Sequence, residues 1–362
     1  MRDEGISQPH RESVSRRLRP IRAPRIVEDV LSEDQREAVL DLVRRHGPWD
    51  LILKHHFSSL EELVATTSGG QVLPPDANLD AFLTPTFRGF FANDGVCFYE
   101  EVEPIFYDSR LMAWAREFWG ARYCRPGKIL FNVNGPAWNR DPGHLDSPRF
   151  RGMGLANTPT WLMSVMGKSG LFQPWAVKLT EVIVWFQKEV EGGGFTFWPE
   201  GPFGAPDRLA PPLWNRGVVT QNTAMVHRGE SNGPIEERAN PKGLSFDSTF
   251  SGDPQGPDRW VVRTGEDVIA QYTTDELRLL LHWDAELYTD MEDLKLHMDH
   301  LDDLTPDRVF EIFIDDLRTR ALPFEVPSDP MTDRDFIATL AKAYDVGPRA
   351  YPAEAPVGPH AA

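Results

Sequence analysis

Apolar and polar positions alternate with two different periods along this chain. Ser32 opens a stretch in which Val39, Leu40, Leu42 and Val43 form one stripe that ends before Gly47. Gln35 stands three residues after Ser32, the spacing of a capping box, so a helix is predicted here. "EPIFYDSRLMAWAREFWG" predicts a second helix, stopped by Gly120. Near residue 128 the pattern changes. "KILFNVN", "TWLMSVM", "EVIVWFQKEV", "GFTFWP", "GVVTQNTAMVH", "GLSFDSTF" and "RWVVRT" are short runs rich in β-branched and aromatic residues, bounded by Gly, Pro and Asn. They predict strands. From about Thr264 the chain reads as helical again. "TTDELRLLLHWDAELY" and "TPDRVFEIFIDDLRTRA" each begin with a Thr cap, and "TDRDFIATLAKAYDV" repeats the style.

Closely spaced strands without intervening helices predict a sandwich or barrel rather than βαβ units. The expected fold class is therefore a mainly β core with flanking α-helices. The expected division is a flexible basic arm over 1–25, one domain over 26–350, and a flexible tail over 351–362. Within the domain, 26–124 is predicted helical, 125–263 forms the β core, and 264–350 is helical. No internal repeat is evident.

Composition narrows the function. A chain of 362 residues with 41% hydrophobic residues can bury one large core. Its formal net charge of −17 argues against a nucleic-acid or anionic-membrane footprint. The two cysteines, Cys97 and Cys124, imply no disulfide framework, so a reducing, cytoplasmic location is expected. No apolar run predicts a membrane span or a signal segment. Seven arginines fall within the first 25 residues, but Asp3, Glu4 and Glu12 interrupt them, and a solvated arm is predicted rather than a transit peptide. The expected partner is a small-molecule substrate, and composition leaves the oligomeric state open.

Several motifs lead nowhere. "GKSG" at 167–170 lacks the upstream glycine of a phosphate loop, because position 162 is leucine. "EGGGF" at 191–195 sits between two predicted strands and reads as a hairpin turn. His282, His297 and His300 read as surface histidines of a helical region, and the adjacent His55 and His56 as structural.

"PGHLDSPRFRG", Pro142 to Gly152, is different. In an extended segment, residues i and i+2 face the same way, so His144 and Asp146 can reach one ion. His227, 81 residues after Asp146, ends an apolar β-run that sheet pairing can bring alongside. Two histidines and one carboxylate on one octahedral face leave three positions open, which suits O2 and a chelating co-substrate on non-haem Fe(II). A chelating 2-oxoacid needs a cation for its far carboxylate, and arginine binds carboxylates through a planar fork. Arg238 lies eleven residues after His227, where the next strand is expected to start. Arg228 is too near the ligand to be first choice, and Arg259 and Arg263 are reserves.

His144-x-Asp146, His227, the Ser231–Asn232 step and Arg238 together resemble the Fe(II)/2-oxoglutarate-dependent oxygenases, especially their phytanoyl-CoA dioxygenase-like branch. "GGGFTFWPEGP" is similar to a hairpin that this branch carries, although its "PEGP" departs from the usual residues there. The resemblance covers about residues 125–250. It implies a double-stranded β-helix of jelly-roll or cupin type, with His144, Asp146 and His227 on the metal. It further implies that Arg238, Asn132 and Ser231 contact 2-oxoglutarate. The implied cofactors are Fe(II), 2-oxoglutarate and O2, and the implied reaction is hydroxylation, desaturation or cyclisation of a partly apolar substrate. A cupin-like metalloenzyme without 2-oxoglutarate and a non-catalytic binding protein are the alternatives. Trp138, Trp161, Trp175, Trp185, Trp198 and Trp214, with nearby phenylalanines, are candidates to line an apolar pocket. "GMGLANTPTW" and "GKSGLFQPW" are candidates for a lid. Asn134 and Arg149 are further candidate polar contacts.

Overall fold

The computed structural model describes residues 8–60, 83–139, 141, 143–188 and 190–346. Its strands are β1 (Arg25–Glu28), β2 (Trp49–Asp50), β3 (Phe87–Asn93), β4 (Val96–Cys97), β5 (Tyr123–Asn134), β6 (Lys178–Gln187), β7 (Phe195–Phe197), β8 (Asp207–Leu209), β9 (Leu213–Thr220), β10 (His227–Gly229), β11 (Thr249–Gly252), β12 (Arg259–Thr264), β13 (Asp267–Thr273) and β14 (Arg278–Tyr288). Its helices are α1 (Gln8–Arg17), α2 (Glu33–Arg45), α3 (Glu103–Phe106), α4 (Ser109–Trp119), α5 (Thr160–Ser169), α6 (Met291–Met298), α7 (Pro306–Thr319) and α8 (Arg334–Ala343).

Three antiparallel sheets form. The largest has seven strands in the order β1-β9-β6-β14-β5-β3-β4. A short sheet, β10-β7-β8, and a separate one, β13-β12-β11-β2, complete the set. β14 lies at the centre of the large sheet, paired with β5 on one side and β6 on the other. Its residues alternate. Leu279, Leu281, Trp283, Ala285 and Leu287 join a core with Val39, Leu42 and Val43 of α2, Phe106 of α3 and Leu111, Ala115 and Phe118 of α4. The burial of each large apolar side chain there stabilises the fold by roughly 1.5–3 kcal/mol. Leu280, on the opposite face, packs with Ile183, Trp185, Phe195, Phe197 and Met225 between the large sheet and the short one. Beside Leu130 of β5, that inner face also carries polar groups: Arg278, His282, Asp284 and Glu286 on β14, Asn132 and Lys128 on β5, and Glu181 on β6.

Several elements differ from expectation. "TTDELRLLLHWDAELY" was expected to be helical. Thr273 and Glu276 do make a capping box, but it closes only a single 3-10 turn before β14 begins. β14 does alternate, with Arg278, His282, Asp284 and Glu286 on one face and Leu279, Leu281, Trp283, Ala285 and Leu287 on the other. The Leu279–Leu281 run breaks the alternation early, and the capping box ahead of it mimics a helix start. β13 is also a strand, so residues 264–350 are not wholly helical. The 26–124 region likewise contributes β1, β3 and β4 to the large sheet. "TWLMSVM", expected as a strand, is α5, with Leu162, Met163, Val165 and Met166 buried. Predicted strands β11 and β12 belong to the separate sheet rather than to the core around the site. The capped helix at Ser32 and the stop at Gly120 (φ 67°) form as expected, although the second helix splits into α3 and α4.

The basic arm is not wholly free. α1 buries Val14 and Leu18 in a cluster with Val346, Leu145 and Phe203, and Arg17 Nη1 donates to the Ser169 carbonyl at 2.8 Å. The expected lid segments instead join a satellite core, in which Met153 and Phe172 pack with Phe310 and Phe313 of α7 and Leu340 of α8. The expected tail lies outside the described residues. Among the described residues, no helix is long and apolar enough to cross a membrane.

Candidate metal centre

The segment before the ligands is shaped by short side-chain turns. Asn139 Oδ1 accepts from the Asp141 amide and Asp141 Oδ1 from the Gly143 amide, each at 2.9 Å. Gly143, at φ 112°, takes a backbone conformation that other residues rarely adopt. The chain then extends. His144 exchanges two backbone hydrogen bonds with His227, both 3.0 Å, and the Asp146 amide donates to Asn222 at 3.1 Å. This pairing sets the two imidazoles side by side, with ring centroids 4.5 Å apart. Leu145 points away from the ligands into the cluster anchored by α1. The ligand segment is therefore held from behind by the N-terminal helix.

His144, Asp146 and His227 each offer one ligand atom, all within 4.8 Å of one another. Asp146 Oδ1 lies 3.7 Å from Nε2 of His144 and 3.7 Å from Nε2 of His227. The other ring nitrogens are engaged: His144 Nδ1 with Asp141 Oδ2 at 2.5 Å, and His227 Nδ1 with the Met225 carbonyl at 3.0 Å. These contacts protonate Nδ1 and leave the Nε2 lone pair of each ring for a cation, the usual arrangement behind metal-binding histidines. The donor set fits a first-row divalent ion. The His227 side chain is 7% exposed and that of His144 50%, so the centre opens toward solvent on the His144 side.

Electrostatics in the metal-free chain follow from this crowding. Burial pushes the Asp146 carboxyl up, but His227 and His144 outweigh it and hold Asp146 well below the usual carboxylate range. Burial lowers His144, yet Asp141 and Asp146 reverse the sign and raise it to about 10. Burial, reinforced by His144, lowers His227. Glu181 is pushed well above the ordinary range by burial and by the Asp146 charge.

The remaining expected site residues are distributed unevenly. Asn132 is on the inner face, where its Oδ1 accepts from Arg88 Nε at 2.8 Å. Ser231 Oγ accepts from the Asn139 amide at 3.0 Å, supporting the ligand loop. Arg238 does not start a strand. It caps a 3-10 turn, donates from Nε to the Gly233 carbonyl at 2.7 Å, and lies 5.0 Å over the Trp138 ring. β11, β12 and β13 intervene before the chain returns to the core as β14. Arg259 and Arg263 lie on β12, facing Asp253 and the Glu266 carbonyl. Arg149 pairs with Glu286, and Asn134 Nδ2 donates to Asn232 Oδ1 at 2.7 Å. The six tryptophans do not share a pocket wall. Trp161 and Trp175 pack on the satellite core, Trp185 on the inner cluster, and Trp214 is 37% exposed.

Four residues near the centre were not among the candidates. Arg278 opens β14 and is buried, with Nε donating to the Gly193 carbonyl at 3.1 Å. Its Nη2 flanks Gly229, where a Cβ would come within 3.4 Å. Gly229 is two residues beyond His227 on β10 and so shares its face. His282 is not on a surface helix but buried on β14, and burial lowers it to about 4. Asp146 acts electrostatically on His282, as it does on Arg88 and His56. Arg88 and His56 come from β3 and the turn after residue 55, and only sheet pairing brings them here, so no local motif could have flagged them. His297, also expected on the surface, is 18% exposed and packs on Tyr288 and Glu286.

No family model matches the chain, and no curated protein matches it. Among solved structures, it is similar to an oxidoreductase of the 2OG-Fe(II) oxygenase family from Burkholderia pseudomallei. The TM-score is 0.37 and the identity 12%, over 79% of this chain and 93% of that one.

Proposed function

We propose that the protein is a non-haem Fe(II)- and 2-oxoglutarate-dependent oxygenase. The observation that carries this reading is the His144–Asp146–His227 group, with both imidazoles oriented through Nδ1 and their Nε2 atoms turned to a shared point. The order β9-β6-β14-β5, facing β10-β7-β8 and the paired segment at His144, supports reading the core as a double-stranded β-helix. The phytanoyl-CoA dioxygenase-like branch has less support. That resemblance drew on the spacing of Arg238, and β11–β13 are inserted where its strand was expected.

In this reading His144, Asp146 and His227 hold the metal. Bound Fe(II), with 2-oxoglutarate and O2 as co-substrates, supplies oxidising chemistry at a substrate C–H bond, and 2-oxoglutarate leaves as succinate and CO2. Asp141 and the Met225 carbonyl fix ring orientation. Arg278 takes the distal carboxylate of 2-oxoglutarate, in preference to Arg238. The step from His227 to Gly229 is about 6.6 Å along a strand, a length that a five-carbon diacid spans. Gly229 has no side chain to block that path, and Arg278 Nη2 stands at its end. Leu280, Ile183 and Trp185 exclude water from the floor.

The test is anaerobic titration of the chain with Fe(II) and then 2-oxoglutarate. Appearance of a weak visible charge-transfer band is the expected result, followed on O2 addition by succinate formation. Iron binding without any 2-oxoglutarate response would instead support a cupin-like metalloenzyme, and no metal binding would support a non-catalytic protein.

A further inference from the structure

The inner face of the large sheet carries a second charged feature beside the triad. Arg88 on β3 is in register with Asn132 on β5, which is in register with Leu280 on β14. Its guanidinium is held at two points: Nε donates to Asn132 Oδ1 at 2.8 Å and Nη1 to His56 Nε2 at 3.1 Å. Both holding groups are neutral acceptors. Among the described residues no carboxylate lies within ion-pair distance of Arg88, and no acceptor is placed on its Nη2.

A desolvated guanidinium without a counter-ion is costly and is expected to serve a ligand. Two other cations of the inner face are paired with carboxylates, Lys128 with Asp284 at 3.0 Å and Arg149 with Glu286, while the buried Arg278 is the one already assigned to 2-oxoglutarate. The triad does not pair Arg88 either, because the Asp146 charge belongs to the metal once one is bound. Two further groups face the same space. His56 accepts from Arg88 through Nε2, so its Nδ1 carries the proton and is a donor. His282 is buried on β14, and its Nε2 has no hydrogen-bond partner. An arginine fixed by two neutral partners, with Nη2 unengaged among the described residues, matches the planar geometry of a carboxylate.

We propose that Arg88, held between Asn132 and His56, anchors a carboxylate of the prime substrate, so that the site accepts small carboxylic acids with an apolar body lying over Leu130 and Leu280. This rests on the oxygenase reading for the word substrate, but the anion subsite itself does not depend on 2-oxoglutarate chemistry.

The experiment uses the full chain loaded with Co(II), with and without 2-oxoglutarate, under anaerobic conditions. Binding of hexanoate against hexanamide, and of 3-phenylpropionate against 3-phenylpropionamide, is measured by calorimetry. The wild-type chain should bind the acid of at least one pair roughly tenfold or more tighter than the amide, a difference of about 1.4 kcal/mol. Arg88→Gln should reduce that preference to within about threefold, while Co(II) and 2-oxoglutarate affinities stay unchanged. Arg88→Lys should restore part of the preference. Absence of acid preference in every wild-type pair overturns the proposal, and so does its persistence in Arg88→Gln. Loss of 2-oxoglutarate binding in Arg88→Gln also overturns it, because Arg88 would then anchor the co-substrate. If the wild-type chain binds Co(II) but not 2-oxoglutarate, the oxygenase reading fails. The acid–amide comparison on the Co(II)-loaded chain still decides the subsite.

Discussion

His144 is the ligand most open to solvent, and Asp141 is what holds its ring. Removing either ligand imidazole should be more damaging than removing the residue that orients it. His144→Ala and His227→Ala are expected to abolish specific Fe(II) or Co(II) binding. Asp141→Ala should weaken it by roughly 10–100-fold, the usual cost of losing such an orienting carboxylate. Calorimetry on the three variants checks the order, and wild-type affinity in both histidine variants would remove the triad from the site. The two arginine candidates separate in the same way. Arg278→Gln should raise the Kd for 2-oxoglutarate by at least tenfold, since a charge-assisted hydrogen bond contributes about 1.5–3 kcal/mol, and should leave metal affinity alone. Arg238→Leu should change the 2-oxoglutarate Kd much less, because its guanidinium is already taken up by Gly233 and Trp138. The reverse ranking would return the role to Arg238.

At the level of elements, β14 joins the chemistry to the fold. Its far end carries Glu286, fully buried and contacted by Arg149, Arg125 and Tyr288, with His297 nearby. Burial pushes the Glu286 carboxyl up, but Arg149 and the Tyr288 hydroxyl outweigh it and hold it below its ordinary value. A carboxyl whose folded value is depressed contributes stability above its unfolded value of about 4.3, and loses it as pH falls through the folded value. Glu286→Gln should therefore destabilise the fold at neutral pH by on the order of 3 kcal/mol, because Arg149 loses its partner. The difference between variant and wild type should shrink below about pH 4. Urea unfolding at pH 7 and at a pH well below 4 measures both effects, and an equal gap at the two values would sink the assignment.

At the scale of the whole molecule, a metal held by His144, Asp146 and His227 would be coupled to stability through the paired segments that carry them. A cation at about 100 times its Kd should stabilise the fold by about 2.7 kcal/mol and raise Tm by a few degrees, reversed by chelator. An unchanged Tm would mean that the ion does not bind the folded site. On the proposed oxygenase reading the reaction type would also follow from the ligand set, because Asp146 would fill the position that a halide needs once 2-oxoglutarate and O2 take the others. Turnover with Fe(II), 2-oxoglutarate, O2 and excess chloride should give hydroxylated, desaturated or cyclised product and no chlorinated one, as read by mass. A chlorinated main product would contradict the role of Asp146.

The grouping of His144, Asp146 and His227 was legible from sequence because much of its geometry is local. An extended H-x-D segment puts both side chains on one face, and one backbone pairing with His227, which opens β10 rather than ending the apolar run of β9, completes it. The caps at Ser32 and Gly120 were legible for the same reason, since each satisfies backbone groups within a few residues. The basic groups around the triad were not. Arg88 and Asn132 are 44 residues apart and meet only through the register of β3 on β5. Arg278 lies 51 residues beyond His227 because β11, β12 and β13 leave the core before β14 returns to it. β14 itself reads as a helix because the Thr273–Glu276 capping box precedes it and Leu279–Leu281 interrupts its polar–apolar alternation. Short-range patterns reach a few residues along the chain, whereas the company kept by the metal depends on strand order and register, which exist only once the sheets have closed.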